Sequence, residues 1–140
     1  MTHARHPGHG PWDEVWFVEG VDASGAGFWV RVAIEQGAHG PGRLACWAIW
    51  DGDDVVASWS EVPLAPRAPG TDPQVHQGDV EVSGGKRVRR HRGRTPRIAW
   101  DLTVAPRGPA PDVVPRLLET LGVGRTYASE APCAGIAGTI

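Results

Sequence analysis

The chain has 140 residues, a length that suits one domain with a sizeable core. Its apolar fraction of 41% excludes a disordered polypeptide, and its net charge of -2 excludes bulk attraction to polyanions. No apolar run is long enough for a helical membrane span.

Residues 1–11 are polar and carry His3, His6 and His9 among Pro7, Gly8, Gly10 and Pro11. The glycines and prolines break the helix that would gather the imidazoles, so this stretch reads as a tail and no metal site is expected. It lacks the apolar segment of a secretory leader, which points to a cytoplasmic protein. A domain is expected over 12–140. Glu14–Asp22 is predicted as the first strand, with Val15, Phe17, Glu19 and Val21 on one face and Trp16 and Val18 on the other. The turn Asp22–Ala26 leads into a second strand, Gly27–Glu35, in which Phe28, Val30, Val32 and Ile34 alternate with Trp29, Arg31, Ala33 and Glu35. Arg43–Trp50 is apolar on both faces and therefore reads as a central strand covered on both sides. Asp51–Asp54 is a hairpin turn, and Val55–Val62 is the fourth strand.

Pro63–Gly78 reads as a long functional or mobile loop. Asp79–Val82 and Lys86–Arg92 form a short pair. The second of these carries charge on both faces, with only Val88 fit to turn inward, which predicts an edge strand. Arg97–Ala105 alternates again, with Ile98, Trp100, Leu102 and Val104 on one face and Ala99, Asp101 and Thr103 on the other. Asp112 is a candidate N-cap for one short helix, Val113–Leu121, stopped by Gly122. The last residues, Pro132–Ile140, read as the start of another strand, and a chain that stops there suggests a fragment.

Seven tryptophans stand against one tyrosine and two phenylalanines, and tryptophan suits both cores and apolar ligand walls. The cysteines, Cys46 and Cys133, have no metal-type or redox-type spacing and read as two buried thiols, paired only if the fold brings them together. His39, His76 and His91 are scattered, with no catalytic motif around them.

The order of the motifs is informative. Glu14, Trp16, Phe17 and Glu19 open the domain. Trp100, Asp101 and Leu102 follow on a later strand, and Pro132, Gly135, Gly138 and Thr139 close it. In this the chain resembles the first half of the lipocalin-like proteins that include carotenoid 1,2-hydratase (hydroxyneurosporene synthase), the AttH-like proteins and tocopherol cyclase. The resemblance implies an all-β, antiparallel calycin-like barrel of about seven to eight strands with one short helix near the C-terminus. It also implies an apolar isoprenoid or lipid-like ligand, and a second β-barrel as partner that this chain does not contain.

Hydrating or cyclising an isoprenoid alkene needs a carboxylic acid kept protonated by an apolar site, and aromatic faces that stabilise a carbocation. It needs no redox cofactor. Glu19 and Asp101 are the candidate acids, with Glu14 at the barrel mouth. Trp16, Phe17, Trp47, Trp59 and Trp100 are the candidate ligand walls. Whether the domain is half of such an enzyme or a non-catalytic carrier is open at this point. Between Lys86 and Arg97 lie seven of the fourteen lysines and arginines, a second candidate surface. No aromatic residue is interleaved to stack bases, so nucleic acid is not the expected partner and a nucleic-acid binder stays only as a third, weaker reading of Lys86–Arg97. An anionic membrane surface, met by Lys86–Arg94, fits an apolar-ligand protein better.

Overall fold

The structure, a computed structural model, describes residues 11–66, 75–84, 88–106 and 134–140. Nine strands follow one another: β1 Trp12–Val21, β2 Gly27–Gln36, β3 Arg43–Asp51, β4 Val55–Pro63, β5 Val75–Gln77, β6 Val80–Gly84, β7 Arg89–Arg94, β8 Ala99–Pro106 and β9 Ala134–Thr139. All pair antiparallel with their neighbours in the chain except that β4 and β5 do not pair with each other. The pairing gives a four-stranded sheet in the order β1-β2-β3-β4 (sheet A) and a five-stranded sheet in the order β5-β6-β7-β8-β9 (sheet B). The fold is therefore all-β, and among the described residues it is two sheets rather than one closed ring. The helix expected over Val113–Leu121, and Cys133, lie outside the described residues.

The period-two pattern of β2 sets the packing. Val30, Val32 and Ile34 turn inward and are fully buried. The register Trp16↔Val32 and Val18↔Val30 then forces Trp16 and Val18 of β1 onto the same side. Leu44, Cys46 and Ala48 of β3 join them, and Val75, Val80, Val82, Ile98, Trp100 and Leu102 of sheet B complete one shared core. Each fully buried aliphatic side chain contributes about 1.5–3 kcal/mol. The first hairpin is fixed by Asp22, whose Oδ1 accepts from the Ser24 amide at 2.8 Å, the Ser24 hydroxyl at 2.6 Å and the Ala26 amide at 3.0 Å. These bonds, that from the Ser24 hydroxyl first, hold the exposed Asp22 carboxyl below its ordinary pKa.

Three expectations are corrected. The basic strand is not an edge: β7 lies between β6 and β8. Its inward positions are Arg89, His91 and Gly93, whereas Val88 precedes the strand and is half exposed. Gly93 makes the central position possible. The Trp100 indole lies against its Cα, where any Cβ would collide. The charges that looked like edge protection instead pair across strands on the outer face. The Pro63–Gly78 stretch is not a plain loop, because it contains β5. Gln77 at the end of β5 donates to the Pro63 carbonyl and accepts from the Ala65 amide, both at 2.8 Å, and so ties the start of the connection down. The face of β1 that carries Glu19 is the outer one, with Phe17 and Val21 exposed beside it.

Candidate functional site

The antiparallel registers of sheet A bring one side chain from each strand into rows across its outer surface. One row is Phe17, Arg31, Trp47 and Trp59. The adjacent row is Glu19, Trp29, Ile49 and Ala57. Phe17 is 51% exposed, Trp59 58% and Ile49 40%, so this is an apolar surface open to solvent. Phe17, Trp47 and Trp59, three of the five expected ligand-wall residues, thus come together on the outside of the sheet rather than in its interior. The Arg31 guanidinium lies over the Trp47 ring, 4.3 Å from its centroid. Its ion pair with Glu35 is 3.6 Å long, and Glu35 also faces Arg43 at 3.9 Å. Arg43 in turn reaches Glu61 at 3.3 Å. Those charges border one end of the aromatic rows.

Trp16 and Trp100, the other two expected wall residues, turn inward and meet at His91. Trp100 Nε1–H donates to His91 Nδ1 at 2.9 Å. An indole nitrogen only donates, so the imidazole proton sits on Nε2, which donates to the Trp16 carbonyl at 3.2 Å. The ring is neutral and both its nitrogens are used. Burial lowers its pKa to about 4, although the bond to the Trp16 carbonyl acts in the opposite direction. One side chain thereby ties β1 of sheet A to β7 and β8 of sheet B. Nothing in the sequence marked His91 for this, because its partner Trp16 lies 75 positions away.

On the outer face of sheet B, Asp101 accepts a two-pronged bond from Arg90, at 2.9 Å to Oδ1 and 2.6 Å to Oδ2. This bond from Arg90 holds Asp101 below its ordinary pKa. Glu81 stands 3.8 Å from the same arginine, and Asp79 stands 3.5 Å from Arg94. Arg92 donates to the Asp79 carbonyl at 3.2 Å. A shallow polar groove of about 240 Å³ runs here, lined by Asp79, Arg92, Arg94, Asp101 and Thr139 among others. Of the described arginines of the basic strand, Arg90 and Arg94 thus face carboxylates and Arg92 a backbone carbonyl.

Of the candidate acids, Glu19 is exposed on the edge strand beside Trp29, and Asp101 is ion-paired on the opposite side of the molecule. The two do not share a site. Glu14 is half-buried on the inward side of β1. Cys46 is a buried free thiol whose pKa burial raises to about 11. Among the described residues no group of three or more His, Cys, Asp or Glu is placed to hold a metal, and no helix is long and apolar enough to cross a membrane. The residues that sequence reasoning passed over are Arg31, Trp29 and His91. Arg31 and Trp29 were legible only as the outward half of an alternating strand.

These features define the class of the molecule: an antiparallel, up-and-down β protein of two packed sheets with an aromatic outer surface on one of them. The chain matches no protein-family model, no curated protein and no solved structure.

Proposed function

We propose that this domain binds an apolar, isoprenoid- or lipid-like molecule against the outer aromatic face of sheet A, as a carrier or binding half rather than as the catalyst. The carrying observation is the row Phe17, Arg31, Trp47 and Trp59, with Ile49 beside it, left open where a stable exterior would be polar. The all-β, antiparallel order of strands within the two sheets is compatible with the resemblance to the carotenoid-hydratase group. Trp100 and His91 are buried between the sheets and Trp16 packs against the same core, so these side chains serve the interior and not the exposed face.

A catalytic role has weaker support. An acid that protonates an alkene needs a raised pKa, and Arg90 moves Asp101 in the other direction. Glu19 stands exposed on an edge strand, away from the Asp101 side of the molecule.

The test is tryptophan fluorescence of the full chain titrated with geranylgeraniol and with hexadecanol. Saturable quenching or a blue shift is expected. It should be lost in a Phe17→Ala, Trp59→Ala double variant and kept in Glu19→Gln and Asp101→Asn. A folded chain with no saturable response to either alcohol would sink the proposal.

A further inference from the structure

Arg31 is the anomaly of the aromatic face. Its Nε is buried and, among the described residues, has no hydrogen-bond partner. A buried unpaired donor costs free energy, and an uncharged side chain would fill the same place without that cost. Stacking on Trp47 explains why a planar cation is tolerated there, but not why a charge is present. Its one ion pair among the described residues, to Glu35 at 3.6 Å, is longer than a direct charge-assisted hydrogen bond. Glu35 is divided between Arg31 and Arg43, whereas Arg43 has a closer partner in Glu61 at 3.3 Å. The positive charge at the centre of the apolar rows is therefore incompletely neutralised.

We infer that Arg31 is a headgroup site, and that the molecule held on this face is an anionic amphiphile: an isoprenoid or fatty carboxylate whose chain lies over Trp47, Trp59 and Ile49. This rests on the apolar-ligand reading above. The charge pattern limits the anion to a single head. Glu19, Asp51 and Glu61, around the same face, repel extended polyanions and anionic bilayers. A guanidinium already stacked on an indole and partly shielded from water gives one carboxylate more than it would at a fully exposed site.

The experiment compares matched pairs on the full chain: geranylgeranoic acid against geranylgeraniol, and palmitate against hexadecanol, followed by tryptophan fluorescence at neutral pH. The acids are expected to bind about tenfold or more tighter than the alcohols, as a charge-assisted hydrogen bond would give. Arg31→Met should abolish the preference, so that the acid and the alcohol of each pair bind alike. Equal binding of acid and alcohol to the unaltered chain overturns the headgroup assignment and leaves apolar binding standing, and that comparison needs no variant to fold. A variant that weakens acid and alcohol alike overturns it too, because Arg31 would then only shape the face. Binding to anionic phospholipid vesicles without binding to the monomeric acids overturns it in favour of a membrane surface. Failure of all four probes removes both this inference and the reading beneath it.

Discussion

The two sheets share one interior but present opposite exteriors. On sheet B the outward positions are Arg90, Arg92 and Arg94, set against Asp79, Glu81 and Asp101, and the described charges find partners across neighbouring strands. On sheet A the outward positions are Phe17, Trp29, Trp47, Ile49 and Trp59, with Arg31 among them and ion pairs confined to one end. The first surface satisfies itself. The second contains large apolar groups in water and a buried donor with no partner among the described residues, both unfavourable in isolation. The difference teaches that the surface richest in charge is not the one with an unmet requirement. Composition alone draws attention to the basic run, whereas the unsatisfied chemistry lies on the other sheet.

If the interior holds the fold and the aromatic exterior serves binding, substitutions should separate the two. The largest effect is expected at Trp100, 2% exposed and packed on Gly93 and His91. Trp100→Ala should destabilise by about 3–5 kcal/mol in urea unfolding, since it leaves a cavity and also removes the donor to His91. A loss under about 1 kcal/mol would show that the sheets are held elsewhere.

Next in size is an acid effect at His91. Its pKa in the folded protein, about 4, lies below its ordinary value of 6.5, so between those pH values the unfolded chain binds a proton that the folded chain does not. Stability from this group is therefore full above pH 6.5 and falls as pH drops toward 4, by about 3 kcal/mol in all. His91→Gln should flatten the stability profile over that window. An unchanged slope would place the acid sensitivity on other groups.

Much of the fold was legible beforehand, and the reason is local. The alternation of Phe28, Val30, Val32 and Ile34, and of Ile98, Trp100, Leu102 and Val104, is a short-range pattern that survives into the structure unchanged. What escaped notice depended on register. In Arg89–Arg94 the inward residues are an arginine, a histidine and a glycine, which carry little apolar signal, and the last two make sense only beneath Trp100. Glu19 was correctly grouped with Val15, Phe17 and Val21, but β1 is apolar on both faces. Only its pairing with β2 decides that Trp16 and Val18 go in. The candidate site was half visible for the same reason: the tryptophans stood out, but the row joining Phe17, Arg31, Trp47 and Trp59 exists only once four strands are aligned.

On the aromatic face itself the contrast should invert. Phe17→Ser and Trp59→Ser remove side chains that are more than half exposed, so the unfolding midpoint should move little, within the range of surface substitutions at about 0.5 kcal/mol. Their binding of geranylgeraniol should nevertheless be lost. A Trp59→Ser variant as destabilised as Trp100→Ala would mean that the face is structural, and that its exposure has another cause.

The smallest effect is expected on the charged exterior. Asp101→Asn breaks the two-pronged contact with Arg90, the shortest ion pair among the described residues. Both partners are open to water and ions, however, so the Coulomb attraction is screened. Because the Asp101 pKa is lowered from 3.8, its stabilising contribution is present above that pH and is lost only as pH falls through the lower folded value. That window lies below the one assigned to His91, so the two carboxylate and imidazole effects separate in a single pH series. The Asn variant should lie below the unaltered chain by a small, salt-sensitive offset from neutral pH down to about 4, and the two should converge below that as Asp101 takes up its proton. Substantial destabilisation at neutral pH and high salt would show that the arginine–carboxylate lattice carries the fold of sheet B, and the contrast between a self-satisfied exterior and a binding exterior would have to be redrawn around it.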